Sequence, residues 1–280
     1  LAAKNSLQGM PKMNFGNQPR DGGYFIIQED EYNEILKREP GLKKWLRPYI
    51  GADEFINGKK RWCLWLKDAS PKDIINSKIL SEKVEAVRQF RLSSKAKTTN
   101  GYAKVPQLFA QITQPDTNFL IIPSVSSEKR RYVPIGFVTS ETIASNAVQI
   151  VPNATLYHFG ILTSNVHMAW MRTVCGRLKS DYRYSKEIVY NNFPWPTPTA
   201  EQRAKIEQTA QAILDARALY PDCSLAEMYG NKRHLFPKLL KAHQDNDRAV
   251  MRAYGFSGKL NSESACVAEL MRMYQGLTEK

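Results

Sequence analysis

Hydrophobic and polar positions change texture along the chain. Between about Tyr24 and Pro198, short apolar runs of β type ("RWCLWL", "NFLIIP", "RYVPIGFV", "NAVQIVP", "TLYHFGIL") alternate with stretches of helical spacing, which predicts a mixed-sheet α+β domain over 24–198. Residues 1–23 are rich in Asn, Gln, Gly and Pro, and "QPRDGGYFII" reads as a loop turning at Gly22 and Gly23 into a first short strand. That segment is expected to be a connector from something upstream. From Ser81, "SEKVEAVRQFRLSSKAK" predicts a helix with Val84, Val87 and either Phe90 or Arg91 on its stripe. Beyond Pro198, Thr199 and Gln202 form a capping box ahead of Ile206, Ala210, Ile213 and Leu214. "FPKLLKAHQDNDRAVMRAY" carries the next helical stripe, and Ser262 opens a last one with Val267, Leu270, Tyr274 and Leu277. A small all-helical subdomain is therefore expected over 199–280.

Charge narrows the partner. The 280 residues hold 40 Lys and Arg against 27 Asp and Glu, a formal charge of +13, which favours a polyanion: nucleic acid first, an anionic membrane second. No run approaches the roughly 20 apolar residues of a membrane-spanning helix, and Leu1 opens no secretory signal. Cys63, Cys175, Cys223 and Cys266 are scattered without metal-ligand spacing, as expected of reduced thiols in a cytoplasmic protein. The start at Leu1 is expected of a fragment or a processed product.

Catalytic signatures are missing. The chain has no phosphate-binding G-x-x-x-x-G-K-[ST], no G-x-G-x-x-G, no G-x-S-x-G and no H-E-x-x-H, so neither a catalytic nor a metal site is assigned. "NNFPW", Asn191 to Trp195, is similar to the Asn-Pro-Pro-aromatic loop of amino-methylating DNA methyltransferases, but Phe193 replaces the first Pro and no glycine-rich cofactor turn precedes it. His158 and His167 lie in apolar contexts and read as hydrogen-bonded core histidines. The acidic stretches "QEDEYNEI" and "GADEF" read as solvated faces.

Positive charge is instead gathered with hydroxyls and tyrosines. After a helix ending at Gly176, Arg177, Lys179 and Arg183 leave on a loop with Asp181 as their local counter-charge, flanked by Arg172 and Lys186. "SVSSEKRRYVPIGF" places Lys129, Arg130 and Arg131 in a hairpin-like turn, and "RLSSKAKTTNGYAK" places Lys95 and Lys97 among Ser and Thr. These ten cations are the phosphate-binding candidates. Ser140, Glu141, Thr142 and Asn146, which follow "PIGF", are the candidates for base edges, because neutral and acidic groups read donor and acceptor patterns.

The segments "GADEFINGKKRWCLWL", "RLSSKAKT", "SSEKRRYVPIGF", "FGILTSNVHMAWMRTVCGRLKSDYRYSKEIVYNNFPWP" and "AQAILDARALYPDCSLAEMYG" resemble the C-terminal part of the MmeI-type (type IIL) restriction-modification enzymes. These fuse nuclease, adenine methyltransferase and target recognition domain in one chain. The resemblance implies a target recognition domain with a helical tail that binds double-stranded DNA, non-catalytic by itself. It also implies a methyltransferase core in cis, upstream of residues 1–23, which would use S-adenosylmethionine; this chain itself carries no cofactor motif. Two other readings stay open on residues alone. One is an RNA-binding or ribonucleoprotein module, from the interleaved Tyr and Arg; the other is a magnesium-dependent nuclease using Glu29, Asp30, Glu31 and Glu34.

Overall fold

A computed structural model describes residues 3–256 and 262–279; the outermost ends of the expected connector and tail, and 257–261, lie outside them. The chain forms two compact units that interleave in sequence. One comprises Phe15–Asp116 and Thr139–Val148, the other Leu1–Asn14, Thr117–Val138 and Gln149–Lys280.

The smaller unit is built on a four-stranded sheet in the order Ile26–Ile27, Trp62–Leu64, Leu46–Ile50, Ile143–Ala144. The first three strands are antiparallel, with Ile26 opposite Cys63 and Leu46 opposite Leu64. Ile143–Ala144 joins in parallel, Tyr49 opposite Ile143, which stitches the 139–148 segment to a distant part of the chain. Phe25, Ile27, Leu46, Leu64, Val87 and Phe109 make its core. The Glu29–Arg38 helix has Glu29, Asp30 and Glu31 in its first turn and Lys37 and Arg38 in its last, so its acidic cluster complements the helix dipole. Lys78–Leu92 is the predicted helix with an earlier start, because Ser77 caps it by accepting from the Leu80 amide at 3.0 Å.

The larger unit carries a four-stranded sheet in the order Asn14–Phe15, Val148–Pro152, Phe119–Pro123, Gly136–Val138. Every residue of Phe119–Pro123 is buried, as the unbroken apolar run "NFLIIP" requires of an inner strand. "TLYHFGIL" corrects the sequence reading, for Leu156–Leu162 is a helix. An apolar run that short fits either a buried strand or a buried helix, and the start signal decides it: the Thr155 amide donates to His158 Nδ1 at 3.0 Å in a capping box. The C-terminal part is all helical, with Ala200–Ala218, Pro237–Ala253 and Glu263–Thr278 as its long helices. Ile206, Ile213, Leu239, Val250 and Leu270 join Phe159, Trp170, Phe193 and Trp195 in one core. At Gly160 a β-carbon would come within 2.7 Å of Ile206 Cγ2, so glycine sets the close approach of the Leu156–Leu162 and Ala200–Ala218 helices.

Candidate nucleic-acid interface

In the larger unit the stretch read as a basic loop is a β-hairpin. Helix Asn165–Val174 ends at Cys175, whose backbone is extended, and Gly176–Leu178 pairs antiparallel with Asp181–Arg183 around Lys179 and Ser180. Lys179 adopts φ 55°, the left-handed geometry that a two-residue hairpin turn demands. Val125–Ser126 adds a third strand, Ser126 opposite Tyr182 and Val125 opposite Arg183. Two basic segments some fifty residues apart thus become one surface. The Glu128 amide and Asp181 Oδ1 lie 3.4 Å apart, and Arg177 stands 3.7 Å from Glu128.

The cations here are not equivalent. Arg177 stacks over the Tyr182 ring at 4.1 Å and donates to the Ser180 carbonyl at 2.8 Å, which stiffens the hairpin. Arg172 is held by both oxygens of Glu263, at 2.8 and 2.9 Å, and donates to the Arg131 carbonyl at 3.0 Å; its charge is matched within the fold. Lys186 lies 3.5 Å from Glu187. Arg130 is half-buried, while Lys129, Arg131, Lys179 and Arg183 are exposed. Among the described residues, no carboxylate pairs with Lys129, Lys179 or Arg183.

The smaller unit holds the remaining candidates. Lys95 and Lys97 are exposed, the latter opening the short helix Lys97–Gly101. The 139–146 segment is fixed from below by two side-chain amides. Gln114 Nε2 donates to the carbonyls of Ser140 (3.1 Å) and Thr142 (2.9 Å), and its Oε1 accepts from the Ala144 amide (3.2 Å) and from Asn17 Nδ2 (2.8 Å). Asn17 is fully buried and also takes up the Ala144 carbonyl (2.9 Å) and the Thr113 amide (2.8 Å). Gly16 lies so close that a β-carbon would sit 2.2 Å from the Ser145 carbonyl oxygen. Above this scaffold Glu141 pairs with Arg47. Arg47, Lys67, Asp68, Gln114, Ser140 and Glu141 line a cavity of about 170 Å³. Thr142 lines a second of about 320 Å³ together with Lys60 and Arg61, and Asn146 is exposed. Rigid backbone with exposed polar tips suits the reading of donor and acceptor patterns.

Elsewhere, candidate chemistry is internal. Asn191 and Asn192 are buried, donating to the carbonyls of Ala3 (2.7 Å) and Glu187 (3.1 Å), and Phe193 and Trp195 are fully buried, so "NNFPW" is core. His158 and His167 are neutral core residues: burial, aided at His158 by Arg203, pushes its pKa down to about 4, and burial alone pushes His167 down to about 3. His167 Nε2 shares a 2.9 Å hydrogen bond with the Tyr184 hydroxyl. Glu31 pairs with Lys83 at 2.6 Å and Glu34 with Arg38 at 3.6 Å, and among the described residues no group of three His, Cys, Asp or Glu is arranged to hold a metal. No local pattern marks Arg47, Asn17 or Gln114, whose importance arises from contacts spanning 94, 127 and 30 residues.

Two family models account for the chain: "MmeI, target recognition domain" matches residues 2–197, and "MmeI, C-terminal domain" matches 198–280. The chain belongs to the MmeI family. DNA methyltransferase A of Bacillus subtilis (strain 168) is 37% identical over 275 residues, covering 98% of this chain and 31% of the relative. The solved structure of the type IIL restriction-modification enzyme MmeI in complex with DNA superimposes with a TM-score of 0.96 at 44% identity, covering 100% of this chain and 37% of that one. The chain thus spans about a third of the length of these relatives. Its α+β architecture with an all-helical C-terminal part is the MmeI fold, and among the described residues no helix is long and apolar enough to cross a membrane.

Proposed function

We propose that this chain is a DNA-reading module: it binds a specific double-stranded sequence for an adenine methyltransferase carried in the same polypeptide and is non-catalytic by itself. The observation that carries this is the full-length match, at 44% identity, to MmeI in complex with DNA. The recognition part is assigned to 24–198 and its helical tail to 199–280. Lys95, Lys97, Lys129, Arg130, Arg131, Lys179 and Arg183 hold backbone phosphates, and Ser140, Glu141, Thr142 and Asn146 face base edges. Arg172, whose charge Glu263 matches, and Arg177 and Lys186, each beside a glutamate, shape the surface. S-adenosylmethionine, which supplies the methyl group, would bind in the methyltransferase part, and the setting is cytoplasmic.

The division of labour follows from charge. Cations meeting phosphates release condensed counterions, which gives affinity and register without sequence information. Sequence information comes from polar groups held rigidly enough that a wrong base leaves one unpaired, at about 1–3 kcal/mol for each mismatch. Selection from a randomised duplex pool tests the proposal: a recovered consensus supports it, whereas a preference for single-stranded RNA, or magnesium-dependent cleavage by the chain alone, would overturn it.

A further inference from the structure

Among the described residues of the smaller unit, Arg20 is the one non-glycine residue with a left-handed φ. Arg20, Gly22 and Gly23 all take left-handed φ values of 46°, 68° and 90°. Glycine does so without steric cost, but arginine does not. The turn is built from beneath. Asp21 accepts from the amides of Gly23 (3.1 Å) and Phe25 (2.7 Å), while the buried Arg91 guanidinium donates to the carbonyls of Pro19 (2.9 Å) and Arg20 (3.0 Å). This scaffold aims the Arg20 side chain, whose Nε donates to Gln18 Oε1 at 3.1 Å and whose Nη1 donates to the hydroxyls of Thr98 and Thr99 at 3.2 and 3.4 Å.

All three acceptors are neutral. Among the described residues no carboxylate pairs with Arg20, in contrast to Arg47, Arg61 and Arg172. The guanidinium is therefore oriented without being neutralised, and its Nη2 has no partner among the described residues. The Thr98 and Thr99 hydroxyls accept from Arg20, which leaves their own protons to donate outward. Lys97 immediately precedes Thr98 and is exposed. The cluster offers donors and positive charge. With Nε committed to Gln18 and Nη1 to Thr98 and Thr99, neither the Nε–Nη2 nor the Nη1–Nη2 fork that reads a guanine edge is available. One nitrogen and two hydroxyls at divergent angles match the oxygens of a phosphate instead.

We propose that Arg20, together with Thr98 and Thr99, binds one backbone phosphate of the DNA duplex, an inference that rests on the DNA-reading function above. The test uses the 280-residue chain, a duplex carrying its selected consensus and a scrambled duplex, each titrated over a series of salt concentrations. Arg20→Gly relieves the left-handed strain, so it is expected to melt at or above the parent temperature. It should also bind both duplexes about tenfold more weakly, with a slope of log affinity against log salt shallower by about 1. The Thr98→Val, Thr99→Val double variant leaves the turn intact and is expected to weaken both duplexes several-fold. Unchanged affinity and slope in both variants overturn the inference while leaving the DNA-reading function standing. A changed preference between the two duplexes at unchanged slope overturns it too, by making Arg20 a base reader. If the parent chain binds neither duplex, the function falls and this inference with it.

Discussion

Replacing Arg91 by Met removes a charged knot and keeps the length of the side chain. Arg91 is fully buried, and its guanidinium donates five hydrogen bonds, all to main-chain carbonyls: Pro19 at 2.9 Å, Arg20 at 3.0 Å, Tyr102 at 3.0 Å, Val105 at 3.1 Å and Leu108 at 2.7 Å. The Pro19, Tyr102 and Val105 carbonyls also accept from the amides of Ala110, Val105 and Leu108, so Met takes one of two donors from these three and leaves the Arg20 and Leu108 carbonyls without any among the described residues. Hydrogen bonds to a charged group contribute about 1.5–3 kcal/mol each, so five would total roughly 8–15 kcal/mol if they were independent. They are not, because the loops open and water reaches some of the carbonyls. The two carbonyls left unpaired cost about 1–3 kcal/mol each, so about 4 kcal/mol is the expected loss. That is a large part of the roughly 5–15 kcal/mol that holds a domain together. Urea unfolding followed by tryptophan fluorescence should show the midpoint lower by about 2 M, given a slope of about 2 kcal/mol per M. Arg91→Lys, with three donors for five carbonyls, should fall between Met and the parent. A midpoint for Arg91→Met within ~0.5 M of the parent would refute the argument that this side chain organises the loops.

Asn17→Ala removes three side-chain hydrogen bonds, to the Ala144 carbonyl, Gln114 Oε1 and the Thr113 amide; it should cost about 2–3 kcal/mol and lower the ratio of specific to non-specific affinity, with the salt slope nearly unchanged. An equal loss on all sequences would contradict that role. Lys179→Ala should weaken all duplexes alike and flatten the salt slope by about 1, whereas Glu141→Gln should keep the slope and shift preference at one base pair; Lys179→Gly, which suits φ 55°, separates lost charge from a disturbed turn. Folded-state pKa values of about 3 for His167 and about 4 for His158 lie below the ordinary 6.5, so the unfolded chain binds more protons. Stability that is complete above about pH 6.5 is therefore lost as the pH falls, and the His167 contribution levels off near pH 3. Unfolding midpoints at pH 7 and pH 5 should differ less for His167→Gln than for the parent, and equal differences would exclude His167 as the cause.

Local chemistry was legible where one residue sets an element. The Thr199–Gln202 box is present in the structure at 3.0 and 3.2 Å, and Ser262 caps the final helix. "NFLIIP" and "NAVQIVP" are strands. Periodicity failed where two elements share one apolar pattern, as at Leu156–Leu162. It also left open which of Phe90 and Arg91 faces inward, and the structure buries Arg91 while Phe90 is 39% exposed. Hydrophobicity ranks that pair the other way; five carbonyls from two distant loops reverse it, and no local window contains them. The hairpin at Gly176–Arg183 escaped because its third strand lies some fifty residues earlier. The candidate site was legible as composition, basic residues among hydroxyls, but not as geometry. That Arg172 is spent on Glu263, Glu141 meets Arg47 and Arg20 is held by Thr98 and Thr99 depends on contacts spanning 78 to 94 residues.

The central claim is that this chain, and not the methyltransferase part, chooses the sequence. Grafting its 280 residues in place of the corresponding part of Bacillus subtilis DNA methyltransferase A, then mapping methylated adenines on a random DNA library, measures that choice directly. Methylation at the consensus that this chain selects from a duplex pool is the predicted result. Methylation by the graft at the unaltered enzyme's own sites would contradict it.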